Sequence, residues 1–178
     1  TMRWYIALFK NETILTALYY TVSIAILASV ISTIFGTITS IGIFKLRGKA
    51  KATILNINYL PVLNTDIVTG VAIMSLFTFF EMNFGFKTML LSHIMFCTPY
   101  VILSVLPKLR QLPDNVEEAA LDLGATPWLA IRKIVIPQIK PGIVSGFLMA
   151  FTMSIDDFLI SFFNTGNGVS NLSIEVYG

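Results

Sequence analysis

Four long apolar stretches, separated by short polar segments, set the pattern of this chain. The first, residues 13–44, contains no Asp, Glu, Lys or Arg. It exceeds the ~20 apolar residues that a bilayer core requires, so it spans with tilt or extends past the lipid. Gly36 and Gly42 lie near its far end. The second stretch runs from about 60 to 80, with Pro61 at its start and Asp66 within its first turns. The third, 88–106, is interrupted by Pro99, and the fourth, 142–163, carries Asp156 and Asp157. Each is a predicted membrane-spanning helix. Together they predict an all-α, polytopic membrane bundle forming one domain over residues 1–178.

Composition agrees with lipid as the solvent. Of the 178 residues, 55% are hydrophobic and only 12% charged, about half the charged share of a soluble domain. The basic residues set the orientation. Lys45, Arg47, Lys49 and Lys51 lie between the first two stretches, and Lys108, Arg110, Arg132, Lys133 and Lys140 between the last two. The 81–87 hairpin holds one charge of each sign, Glu81 and Lys87. Basic loops stay in the cytoplasm, so the hairpin faces outward and, by parity, so do both chain ends. Trp4 and Tyr5 suit an anchor at the outer interface. The opening Thr1-Met2-Arg3-Trp4-Tyr5 is not a signal peptide, and 171–178 is a polar stretch without a natural stop. The expectation is therefore a chain truncated at both ends, from a protein of six helices.

Several classes of function drop out. A net charge of +2 offers no basic surface for nucleic acid. The single cysteine, Cys97, cannot form an internal disulfide or a zinc cluster, and reads as a small buried residue. There is no phosphate-binding G-x-x-x-x-G-K-[ST] loop; Gly48-Lys49-Ala50 lacks both the hydroxyl and the earlier glycine. The lone His93 has no nucleophile in register, and reads as an interhelical hydrogen-bonding residue. The chain is expected to be neither an ATPase nor a membrane enzyme, and to hold no cofactor of its own.

The cytoplasmic segment 107–141 is too long for a plain connector. Asp114 followed by Glu117 is an acidic capping box, with Pro113 just before it, and Glu117 with Glu118 falls where a helix dipole favours negative charge. Val116, Ala120 and Leu123 recur at helical spacing, and Gly124 suits a C-cap. Thr126-Pro127 then starts a second helix with an apolar stripe of Trp128, Ile131 and Ile134, which Pro137 is expected to stop. The pattern predicts two short amphipathic helices at an angle over 114–136, a compact knob beneath the membrane.

Within this knob, Glu118-Ala119-Ala120, three residues, Gly124, nine residues and Ile134-Val135-Ile136-Pro137 resemble the EAA motif of permease subunits of bacterial ABC importers. Ile136 stands where that family usually has Leu. His93 through Pro99-Tyr100 is also similar to this permease fold, and Thr65 stands before Asp66 where relatives often carry proline. The stretch from Phe151 through Asp156-Asp157-Phe158 to Phe162 resembles the second permease subunit of spermidine/putrescine importers. The resemblance implies a type I ABC importer permease fold in a bacterial inner membrane. It further implies that Glu118, Ala119, Ala120, Gly124, Ile134 and Pro137 couple the helices to a separate ATP-binding subunit. A second permease subunit and an extracytoplasmic solute-binding protein are the other implied partners.

Asp156 and Asp157 are the candidate substrate-path residues. An intramembrane carboxylate costs about 2.5–3.5 kcal/mol even on insertion scales, so it must face protein or water. Asp156 falls roughly 21 Å along a helix begun at Gly142, toward the outer third. Gly146, Ala150, Ser154, Asp157, Ser161 and Asn164 make one small, polar stripe, whereas Asp156 falls in line with Ser145, Met149 and Thr152. Either carboxylate lines the path for an ammonium group, or both bond a neighbouring subunit or backbone. Asp66 reads as a helix N-terminal capping residue. Tyr19, Tyr20 and Tyr100 read as packing, with cation–π contact as the alternative. The expected function is a permease for polyamines, with another small solute such as iron or sulfate, or a passive channel, as the alternatives.

Overall fold

The computed structural model describes residues 11–113, 116–166 and 169–177. Trp4, Tyr5, Asp114 and the side chains of Glu117 and Glu118, all named above, lie outside the described residues. Helix α1 (Glu12–Lys45) is followed by α2 (Gly48–Leu63), α3 (Asp66–Phe79) and α4 (Phe86–Arg110). The cytoplasmic segment folds as α5 (Val116–Asp122) and α6 (Pro127–Ala130), and a π turn (Ile131–Val135) joins α6 to α7 (Ile136–Asp156). Two short helices, α8 (Leu159–Asn164) and α9 (Leu172–Tyr177), complete the order.

Three helices form the core: α1, α4 and α7 pack against one another. On α1 the packed face is a stripe that includes Ala17, Thr21, Ala25, Ala28, Ser32 and Gly36. Small residues let helix backbones approach closely where lipid offers no hydrophobic drive between helices. The stripe's hydroxyls fold back on their own helix, Thr21 onto the Ala17 carbonyl at 2.8 Å and Ser40 onto that of Gly36 at 2.7 Å. Val101 of α4 is fully buried where the three helices meet. A Cβ on Gly36 of α1 would lie 2.7 Å from its Cγ1, and one on Gly146 of α7 would lie 3.2 Å away. Cys97 is buried in the same core, its Sγ 3.5 Å from the Ala150 carbonyl.

By length and apolarity α1, α4 and the run Pro127–Asp156 can each cross a membrane, while α2 and α3 are long and apolar enough only when taken together as a sharply bent pair. That break corrects the single helix anticipated over 60–80. The chain bends by 111° between Leu63 and Asp66, and Pro61 lies inside α2 rather than opening a helix. Asn64 and Thr65 are both extended, so α3 starts afresh at Asp66. The fourth stretch, anticipated as continuous over 142–163, is likewise broken: α7 ends at Asp156, Asp157 is extended, and α8 begins at Leu159.

Pro137 does not stop a helix, contrary to the sequence reading. The π turn closes with Ile136 N–H on the Ile131 carbonyl, and the helix continues with Pro137 in its first turn. Widening the turn moves the carbonyl that the proline ring would strike, so the chain passes the proline unbroken. The other punctuation is as the residues imply. Gly124 has φ +84°, its N–H reaches the Leu121 carbonyl at 2.9 Å, and the Ala125 N–H reaches that of Ala120 at 3.0 Å. This is a Schellman closure, and only glycine takes that φ without strain. Thr126 then caps α6 by accepting from the Leu129 N–H at 3.3 Å.

Candidate functional site

The two helix breaks border one cavity. It has a volume of about 470 Å³, and Asp66, Phe96, Met153, Asp156, Asp157 and Phe158 are among its walls. Asp66 comes from the start of α3, Phe96 from α4, and the remaining four from the end of α7 and the turn into α8. Phe96 packs edge-on against Tyr100, ring centroids 5.4 Å apart. Three carboxylates and two phenyl rings therefore meet at one place in the bundle.

The two adjacent aspartates are not equivalent. Asp156, the last residue of α7, is exposed and has no hydrogen bond or ion pair among the described residues. Asp157 is 8% exposed, and its carboxylate is occupied. One oxygen accepts from the Ile160 N–H at 3.2 Å; the other accepts from the Ser161 N–H at 2.8 Å and the Ser161 hydroxyl at 3.1 Å. These N–H groups belong to the first turn of α8, which have no intrahelical acceptor, so Asp157 caps that helix.

Behind Asp157 lies a buried polar cluster. His93 of α4 joins two elements, with Nδ1 2.7 Å from Ser154 Oγ on α7 and Nε2 2.9 Å from Ser161 Oγ on α8. This is the interhelical role read from the sequence. Asn171, 1% exposed, donates to Ser161 Oγ at 2.7 Å, and its own oxygen accepts from the Ile174 N–H at 2.9 Å at the start of α9. The adjacent Leu172 N–H donates to Thr21 Oγ1 of α1 at 2.8 Å, tying α9 to the bundle. Neither Ser161 as a hub nor Asn171 stands out in the sequence, because contacts between distant elements leave no periodic trace.

Asp66 also departs from its sequence reading. It does lie in the first turn of α3, where negative charge is favoured, but it borders the cavity as well. The signal for that second place was present: Asn64-Thr65 is a polar break inside an apolar run, followed by a carboxylate.

At the end of the bundle that the basic residues assign to the cytoplasm, α5 packs back on α6 and the π turn. Ala119 is exposed, Ala120 is buried at 5%, Ile134 is partly buried and Pro137 is exposed. The surface of this unit carries large apolar side chains, with Leu123 89% and Trp128 67% exposed. Next to them Arg132 and Lys133 are exposed on the π turn. An apolar surface at the basic, cytoplasmic end of the bundle is suited to a protein partner.

The family described as "Binding-protein-dependent transport system inner membrane component" matches residues 13–177. The chain is 34% identical over 174 residues to the spermidine/putrescine transport system permease protein PotC of Haemophilus influenzae, covering 98% of this chain and 68% of that protein. It is 30% identical over 177 residues to PotC of Escherichia coli (strain K12), covering 99% and 67% respectively. Over 182 residues it is 34% identical to the putrescine transport system permease protein PotI of the same organism, covering 98% and 65%.

Proposed function

The chain belongs to the binding-protein-dependent transport system inner membrane components, and from that premise we propose that it is a permease subunit of an ATP-driven importer of polyamines such as spermidine and putrescine. The observation that carries the substrate class is the exposed Asp156, without a hydrogen bond or ion pair among the described residues, in a cavity shared with Asp66, Phe96 and Phe158. A carboxylate and an ammonium group about 4 Å apart attract by roughly 4 kcal/mol at an effective dielectric near 20. An aromatic face adds about 0.5–2 kcal/mol. Charge therefore dominates, and the rings suit the methylene spacer of a diamine. The same negative field disfavours sulfate.

Import requires an energy source outside this chain. The exposed Leu123 and Trp128 on the α5–α6 unit offer a docking surface for an ATP-binding subunit, with Glu118, Ala119, Ala120, Gly124, Ile134 and Pro137 as its coupling residues. The helical run continues from α6 through the π turn into α7, which ends at Asp156. Movement of the docked unit would thus be felt at the cavity. A second permease subunit would complete the path, and an extracytoplasmic binding protein would deliver the solute.

The test is uptake of labelled putrescine and spermidine by the assembled complex in proteoliposomes. Asp156→Asn should lower uptake at saturating substrate by about tenfold or more, equivalent to about 1.4 kcal/mol, with the subunits still copurifying. Full uptake by an assembled Asp156→Asn complex would remove Asp156 as the charged ligand of the path. Uptake without ATP would make the protein a passive channel. Stimulation of ATP hydrolysis by ferric iron or sulfate instead of polyamines would move it to another substrate.

A further inference from the structure

We propose that Asp157 and His93 are positioning residues, which fix the break between α7 and α8 so that Asp156 alone presents its charge to the cavity. This rests on reading that cavity as the translocation path.

Ionised Asp157 can only accept, and it lies 3.1 Å from Ser161 Oγ, so the single hydroxyl proton of Ser161 goes to Asp157. Ser161 Oγ then accepts from Asn171 Nδ2 at 2.7 Å and from His93 Nε2 at 2.9 Å. That assigns the ring proton of His93 to Nε2 and leaves Nδ1 to accept from the Ser154 hydroxyl at 2.7 Å. The protons then run in one direction, from Ser154 to His93 to Ser161 to Asp157, with Asn171 as a second donor to Ser161. His93 is 3.9 Å from Asp157 Oδ2, too far for a hydrogen bond, so it acts through Ser161.

The cluster has a mechanical consequence. Without its side-chain cap, the first turn of α8 would have buried N–H groups lacking acceptors. The alternative is for α7 to continue through Asp157 and Phe158, which would carry α8 off α3 and α4 and remake the cavity wall beside Asp156. Asp157, His93 and Asn171 bind the break to three other places in the fold: α8, α4 and α9. Asp157 therefore works through hydrogen bonds, and Asp156 through charge.

That distinction can be measured in the full complex in proteoliposomes, with putrescine as the probe. Asparagine keeps one oxygen to accept from the Ser161 N–H and hydroxyl but sets its amide N–H groups against the Ile160 N–H, so Asp157→Asn should lose some uptake and still retain clearly more than Asp157→Ala. Asp157→Ala should lose about tenfold or more, or fail to assemble. At Asp156 the charge is what counts, so Asn and Ala should be equally poor. His93→Gln, which keeps an N–H for Ser161, should retain more uptake than His93→Leu. If Asp157→Asn is as poor as Asp157→Ala while Asp156→Asn transports normally, Asp157 is the charged ligand; this proposal falls and the path reading stands. If neither aspartate tolerates asparagine, both act by charge and the proposal also falls. Parental uptake by all four aspartate variants would instead remove the path reading itself.

Discussion

Val101 sits between two glycines, and at this scale the packing of the bundle becomes a prediction. A methyl group on Gly36 would come within 2.7 Å of Val101 Cγ1 and 2.8 Å of its Cβ, in a side chain too stiff to turn aside. Gly42, six residues further along the same helix, has no atom within 4 Å of a Cβ built on it. Gly36→Ala should therefore cost about 1–3 kcal/mol through overpacking. Gly42→Ala should be neutral or favourable by up to about 1 kcal/mol, from helix propensity alone. Thermal denaturation of the purified complex compares the two, and equal melting temperatures would show that α1 and α4 are not held at this distance. The helical phase of α7 was legible at the same scale. Gly146, Ala150, Ser154, Asp157, Ser161 and Asn164 are all buried, while Ser145, Met149, Thr152 and Asp156 are exposed. Spacing gave the two faces because the phase holds through the break. What spacing could not give is the use of Asp157: an aspartate that caps a helix and one that attracts a cation are the same letter.

Among elements, the π turn and the Gly124 closure decide how motion passes between the cytoplasmic unit and the bundle. Pro137→Ala supplies an N–H and removes the ring, so 131–135 is free to tighten into regular α-helix. One residue of helical phase is about 100°, and the α5–α6 unit would turn by that much relative to α7. Stability should hold or rise, while putrescine moved per ATP hydrolysed falls by severalfold. An unchanged ratio would detach the π turn from transmission. Gly124→Ala works differently: φ of +84° places an alanine Cβ under strain of about 1–2 kcal/mol. It should loosen the closure of α5 and lower polyamine-stimulated ATP hydrolysis while α1, α4 and α7 stay assembled, which copurification with the second permease subunit would check. Both signals are single letters in the sequence, and only one was read correctly. Gly124 followed by Thr126-Pro127 is unambiguous local punctuation. Pro137 is not, because a proline ends an α-helix but is accommodated by a π turn, and hydrophobic period does not distinguish the two. The breaks at Asn64-Thr65 and Asp157-Phe158 escaped for a related reason: neither contains Gly or Pro, and in lipid a break is stable wherever protein or a cavity satisfies its backbone.

Taken as a whole, the bundle is divided into a packed side and an open one. Helix α1 buries its small-residue face and exposes Tyr19, Ile26, Phe35 and Ile38, a surface that needs lipid. Helix α2 has no buried residue, and Ile57, Leu60 and Leu63 are 57–79% exposed, so lipid or another permease subunit must cover it. The half-helices α3 and α8 pack on each other near the cavity, with Asn164 Nδ2 3.3 Å from the Gly70 carbonyl. Both breaks thus contribute residues to one cavity, Asp66 from the first and Asp157 and Phe158 from the second, and irregular backbone in a membrane bundle is tolerated where protein or a cavity surrounds it. The distribution of basic residues predicts which ends face which compartment, with the 45–51 loop and the α5–α6 unit on the cytoplasmic side and the 81–87 hairpin opposite. Buried Cys97 gives a quiet background for thiol labelling. In intact cells a membrane-impermeant maleimide should label Lys87→Cys and leave Leu123→Cys untouched. In inverted membrane vesicles Leu123→Cys should label, and adding the ATP-binding subunit should protect it, because the exposed leucine lies on the proposed docking surface. Labelling of Leu123→Cys from outside would invert the topology. Equal labelling with and without the ATPase would separate the α5–α6 unit from energy coupling, leaving a membrane pore with no motor attached at that point.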